Sequence, residues 1–223
     1  MVAAYLDICK LLSLNPRYVG ARMIFGLSDC SVRDFLLQLN ELYVEANGDM
    51  ERLARRKLST KEQDAALHRA SDQKISSLPE WVRLPHEKVV KYVDTFGYLT
   101  RELQIGDEGV SHLLSSERGI FILPERKQGD GLDEHYDVIE ECVITGYFSA
   151  AETSSGGPAF RVHNVLAPHY GFSYRGAYTA VKIKAEHLKL IANSGSSNDQ
   201  RRVAHEIAAS IGSHDDINQL KLF

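Results

Sequence analysis

The sequence predicts an α+β protein, mostly helical, with an N-terminal helical bundle followed by a winged helix-turn-helix-like domain. Three observations carry this. The first eighty of the 223 residues space their apolar side chains as helices do and show no strand-like alternation. Further along come a helix, a short β-like apolar run, a second helix and two short runs around a Ser/Gly turn. Between these parts lies "SSLPEWVRLP", Ser76 to Pro85, where two prolines bracket the only Trp. The expected boundaries are a helical domain at 1–80, a winged-helix-like domain at 81–192, and a linker with a C-terminal helix at 193–223.

Each element has a local reason. "MVAAYLDICKLLSLNPRY" reads as an amphipathic helix broken at Asn15-Pro16. In "SVRDFLLQLNELYVEANG", Ser31 and Asp34 form a capping-box-like start, and Gly48 suits the stop. Val32, Phe35, Leu36, Leu39, Leu42, Tyr43 and Ala46 fall at helical spacing on one face. "MERLARRKL" is basic and expected on the surface. Ser59 to Glu62 starts a helix with Ala66, Leu67, Ala70 and Ile75 as its stripe. Past the prolines, "HEKVVKYVDTFGYL" aligns Val89, Val93 and Phe96. "EGVSHLL" reads as a short helix and "RGIFILPE" as a strand. Asp133 is expected to cap a helix burying Val138, Ile139, Cys142 and Val143. "FSAAETSSGGPAFRVHNV" reads as a hairpin, "AYTAVKIK" as a strand, and "AEHLKLIAN" as a helix. "SGSSNDQ" reads as a flexible linker, and "RRVAHEIAASIG" as a final helix aligning Val203, Ile207 and Ile211.

Composition excludes several classes. A hydrophobic share of 43% and a charged share of 25% are those of a soluble globular chain, and no apolar run is long enough to span a membrane. Cys9, Cys30 and Cys142 are too scattered for a disulfide framework or paired zinc ligands, which points to a reducing cytoplasm. No phosphate-cradling Walker loop or Gly-x-Gly-x-x-Gly turn is present. "GFSYRG" has Arg175 where a nucleophile elbow needs its second glycine. His163 and His169 lack the fixed spacing of metal ligands. No catalytic residue, metal or cofactor is expected.

Chemistry concentrates in "FRVHNVLAPHYGFSYRGAY" and the strand after it. From Pro158 to Leu190, Arg161, Arg175, Lys182, Lys184 and Lys189 face Glu186 alone, a net +4, with aromatic rings interleaved. Cations that hold phosphates beside rings that stack form a plausible nucleic-acid surface. Its expected members are Arg161, His163, Tyr170, Tyr174, Arg175, Lys182 and Lys184. Against it, the helix from Asp133 to Phe148 carries five carboxylates and no Lys or Arg, although the whole chain is only at −4. A polyanion would be repelled by that face. The alternative is an adaptor that docks on an ATPase or nuclease subunit through this acidic helix.

Two blocks, "GLSDCSVRDFLLQLNELY" and "RGIFIL" through "GYFSAAETSSGGPAFRVHNVLAPHYGFSYRGAY", resemble the C-terminal lid and winged-helix portion of prokaryotic origin-recognition-type AAA+ ATPases. The resemblance implies a non-catalytic module of an NTPase-linked assembly, with DNA and an ATPase-type subunit as partners. It also implies that Arg33 would sense nucleotide if an ATPase core is supplied elsewhere. The family's Walker motifs are missing from this sequence.

Overall fold

The computed structural model describes residue 9 and residues 17–55, 58–77, 82–105, 118–126, 131–151, 158–174 and 179–219. The fold is α+β and mostly helical. It divides into two compact units, the first being Met1–Leu78 with His163–Arg175, the second Pro79–Val162 with Gly176–Phe223. The segment from His163, expected to stay with the second domain, thus builds the first unit.

Unit 1 contains α1 (Ala21–Ser28), α2 (Val32–Glu45), α3 (Met50–Ala54) and α4 (Thr60–Ser76). The returning segment adds a 3-10 turn (Asn164–Leu166) and α5 (Ala167–Tyr170). The Ser31 hydroxyl caps α2 by accepting from Asp34 N. Its end is a Schellman turn: Gly48 N donates to Tyr43 O, Asn47 N donates to Val44 O, and Asn47 takes φ 57°. Asn47 and Gly48 both take left-handed φ there. A full capping box joins Ser59 and Glu62 at α4, as the sequence predicts. Leu42, Ala46, Leu58 and Ala66 form the buried cluster, with Ile24, Leu39 and Leu53 packed against it.

In unit 2 the order is α6 (His86–Ile105), β1 (Arg118–Ile122), α7 (Asp133–Ile144), β2 (Phe148–Ala151), β3 (Ala159–Val162), β4 (Thr179–Lys182), α8 (Ala185–Asn193) and α9 (Ser197–Gln219). The sheet runs β2-β3-β1-β4. β2 and β3 form the expected antiparallel hairpin, β1 pairs antiparallel with β3, and β4 joins parallel to β1. A helix, a strand, a helix and a hairpin that pairs back onto the first strand make this unit winged-helix-like. The hairpin tip and "EGVSHLL" lie outside the described residues.

Four phenylalanines explain why α6 lies on the sheet. The Phe96 ring sits 5.0, 5.7 and 4.9 Å from those of Phe121, Phe148 and Phe160, and Phe148 stacks on Phe160 at 4.6 Å. All four are essentially fully buried, and offset or edge-on ring pairs add to the area they bury. On α9, Val203, Ala204 and Ile207 are buried, while Arg201 lies over the Tyr98 ring of α6 at 4.6 Å. The supposed linker "SGSSNDQ" is already helical from Ser197, because Asp199 accepts from Ser196 N and so supplies a start. Leu132, with no side-chain acceptor, occupies the N-cap of α7, and Asp133 instead takes a hydrogen bond from Arg126 Nε at 2.7 Å.

Candidate docking face and basic patch

The residues of α2 are sorted in an unusual way. Its buried stripe is Asp34, Gln38, Leu42 and Ala46, while Val32 is 72% exposed, Leu36 57% and Tyr43 39%. The apolar set that the spacing groups on one face is thus divided between core and solvent. Inside the turn that enters α2, Asp29 and Cys30 both take left-handed φ, at 49° and 64°. The turn delivers the helix with Asp34 facing the interior, where Lys74 Nζ meets Asp34 Oδ1 at 2.9 Å. On the other oxygen, His163 Nε2 lies 3.5 Å from Asp34 Oδ2 and 3.9 Å from Asp29 Oδ2. Gln38 Nε2 donates to Ser28 Oγ and to Asp34 O, each at 3.1 Å. Buried charges persist only when paired and hydrogen-bonded, so this network fixes the rotation of α2. Rotation fixed by polar groups leaves the apolar side outward. Phe25 of α1, 66% exposed, extends that side by stacking on Phe35 at 5.2 Å. Arg33, exposed, follows Val32 at its N-terminal end.

Most of the expected nucleic-acid residues have other duties. His163 is buried, and its Nδ1 accepts from Val165 N at 3.3 Å, so it caps the 3-10 turn. Tyr170 is 1% exposed and parallel to Phe172, with no face left for a base. Tyr18 Oη donates within 3 Å of the carbonyls of Ala167 and Phe172, tying the segment down. Tyr174 is half-buried against Gly26, where an added Cβ would lie 2.2 Å from its ring. His163 and Tyr170 are thus packed inside unit 1. Arg175 lies outside the described residues. In unit 2, half-buried Arg161 stands opposite Ile120 and Ser149 in the sheet and has partners within the fold. Lys182 and Lys184, at and beyond the end of β4, are exposed.

The carboxylates of α7 are less available than their number implies. Asp133 is held by Arg126, Glu134 by Lys88, and buried Glu141 accepts from Arg83 N at 3.2 Å. Asp137 and Glu140 remain on the exposed side. Nor does the Ser/His contact of unit 2 form a nucleophile pair. His187 Nδ1 accepts from Lys184 N at 3.3 Å, so the ring proton sits on Nε2, which faces Ser210 Oγ at 3.1 Å as a donor. Burial lowers the His187 pKa, which keeps that tautomer neutral. His169 pairs with Asp72 at 2.6 Å, and no group of three metal-ligating side chains occurs among the described residues. No helix among these residues is long and apolar enough to cross a membrane.

These features define an α+β protein with one helical unit that carries an exposed apolar helix face and one helix-on-sheet unit that carries exposed lysines at a strand end. The chain belongs to the ORC-CDC6-like family, whose model matches residues 1–183. That places it among relatives of the AAA+ initiator proteins. Neither the curated proteins nor the solved structures contain a match.

Proposed function

We propose that this chain is a non-catalytic docking module of an AAA+-linked assembly, and that α2 is its contact surface. The observation that carries this is the inverted helix: Asp34 and Gln38 are buried while Val32 and Leu36 face solvent beside Phe25. Large apolar side chains grouped on a surface mark interaction sites, because leaving them in water forgoes roughly 25 cal/mol per Å². Membership in the ORC-CDC6-like family supports an ATPase core as the occupant, in which case unit 1 acts as a lid. Arg33, at the exposed start of the same helix, is then the cation that reaches the core's bound nucleotide, in keeping with the affinity of arginine for phosphate. The acidic helix α7 is a weaker docking surface, since three of its carboxylates serve the fold.

The test mixes the chain with an origin-recognition-type ATPase core from the same genome and follows the complex by size-exclusion chromatography with light scattering. A stable complex is expected, lost in Leu36→Asp. Arg33→Ala should keep the complex and slow ATP hydrolysis at least about tenfold, as loss of a charged contact to phosphate does. Absence of any complex, or a complex indifferent to Leu36→Asp, overturns the reading.

A second reading is favoured by the exposed Lys182 and Lys184, which flank the end of β4. They offer a basic patch for a phosphate backbone, adjoining the hairpin sheet of the winged-helix-like unit. Fluorescence anisotropy with duplex DNA should show binding that weakens with salt, and Lys182→Ala with Lys184→Ala should flatten that salt dependence by about two phosphate contacts. Affinity unchanged in the double variant removes the DNA role of this patch.

A further inference from the structure

Unit 2 contains a cavity of about 630 Å³ beside the first turns of α6, a size suited to a small organic ligand. At its wall stand Tyr92 and His135, 1% and 7% exposed, with the Tyr92 hydroxyl hydrogen-bonded to His135 Nδ1. Burial raises the phenol pKa and lowers that of the imidazole, so both are neutral. The phenol then donates to Nδ1 and the ring proton lies on Nε2. Among the described residues nothing accepts a hydrogen bond from that nitrogen, and His135 lines the cavity, where a ligand can reach it.

Three further groups converge there. Helix α6 begins after Pro85, which has no side-chain acceptor. The Pro85 carbonyl takes Lys88 N and Val89 N, and the amides of His86 and Glu87 stay open at the positive end of a 20-residue helix. Lys91 Nζ donates to the Ala192 carbonyl at 3.0 Å and forms no ion pair among the described residues. The carboxylates that border the cavity are Glu87 and Glu134, the latter neutralised by Lys88. On a third element, Gln200 is 6% exposed, and its Oε1 has no hydrogen-bond partner.

We propose that this cavity binds a small phosphomonoester. The phosphate sits at the start of α6 between Lys91 and His135 Nε2–H, and a hydroxyl or amino group of the ligand donates to Gln200 Oε1. Donors from the backbone, an ammonium and an imidazole suit the several oxygens of a phosphate, and helix starts bind such anions. The site lies wholly in unit 2, so its test stands apart from docking at α2.

Titration of the full chain with inorganic phosphate, ribose 5-phosphate and adenosine monophosphate, followed by amide and imidazole NMR shifts, tests this. At least one organic phosphate should bind saturably, more tightly than inorganic phosphate, and shift the His86 and Glu87 amides and the His135 ring. Lys91→Ala should weaken it about tenfold or more. Glu134→Gln, on the surface and so compatible with folding, should strengthen it severalfold by freeing Lys88. No saturable binding at millimolar ligand, equal affinity for inorganic phosphate, or binding indifferent to both variants overturns the proposal.

Discussion

Asp34 holds unit 1 together from a position where a sequence reader expects a helix cap. Its backbone amide satisfies Ser31, yet its carboxylate is buried with Lys74 on one oxygen and His163 toward the other. Lys74→Met alone strands that carboxylate in the interior, and loss of about 3–5 kcal/mol is expected in chemical denaturation. Replacing both, Asp34→Leu with Lys74→Met, should recover part of this, because neither charge of the pair is left without the other. A single-variant loss under about 1 kcal/mol would show that the pair is not desolvated. This pair was not legible beforehand. On α4 the reading chose Ile75 for the apolar stripe, whereas Lys74 takes the buried place, since it shares a face with Leu67 and Ala70. Helical spacing gave the face correctly; only the partner 40 residues away explains why an ammonium can sit there. The same blindness affects His163 and Tyr170, whose chemistry is that of a phosphate and base binder until their burial is known.

Among the elements, α2 shows how periodicity and orientation part company. The spacing found the helix, its cap and its stop, and grouped Val32, Leu36 and Tyr43 with Leu39 and Leu42, but it could not say which part of that face the core takes. The polar stripe won because a buried, hydrogen-bonded network tolerates far less rotation than an oily surface does. Leu36→Asp should therefore leave stability within about 0.5 kcal/mol of the native chain, as exposed substitutions usually do. Leu42→Ala, one helical face away and 2% exposed, should cost about 2–5 kcal/mol. Thermal melts of the two variants decide the matter, and the reverse ranking would mean the helix is turned the other way. Ser31→Ala belongs to the same scale, with an expected cost of about 1 kcal/mol for the lost N-cap. The strands and the hairpin were legible from their alternation and Ser/Gly turn. The parallel addition of β4 was not, because nothing local distinguishes a parallel partner from an antiparallel one.

For the whole molecule, the chain divides into two units, and the return of His163–Arg175 to unit 1 was not legible, since chain order says nothing about such a crossing. The division also has consequences for stability against pH. In unit 2, His135 and His187 are buried, and desolvation lowers both pKa values below the ordinary 6.5. The unfolded chain thus binds their protons more readily, so unfolding takes up protons and stability rises with pH. The neutral histidines cost nothing above about 6.5, the loss accumulates as pH falls from there, and it is complete once the lower folded values are passed. Glu62, Glu134 and Asp199, held low by hydrogen bonds and cations, add their own loss in the carboxylate range. Unit 1 has Glu62 of this set and neither of the two histidines. Melting followed by hydrogen exchange between pH 7.5 and 5 should therefore show unit 2 weakening first while unit 1 holds. His135→Gln with His187→Gln, which cannot take up those protons, should flatten the decline in unit 2. A decline of the same size in both units, or one untouched by the double substitution, would mean that the buried imidazoles do not set the acid response.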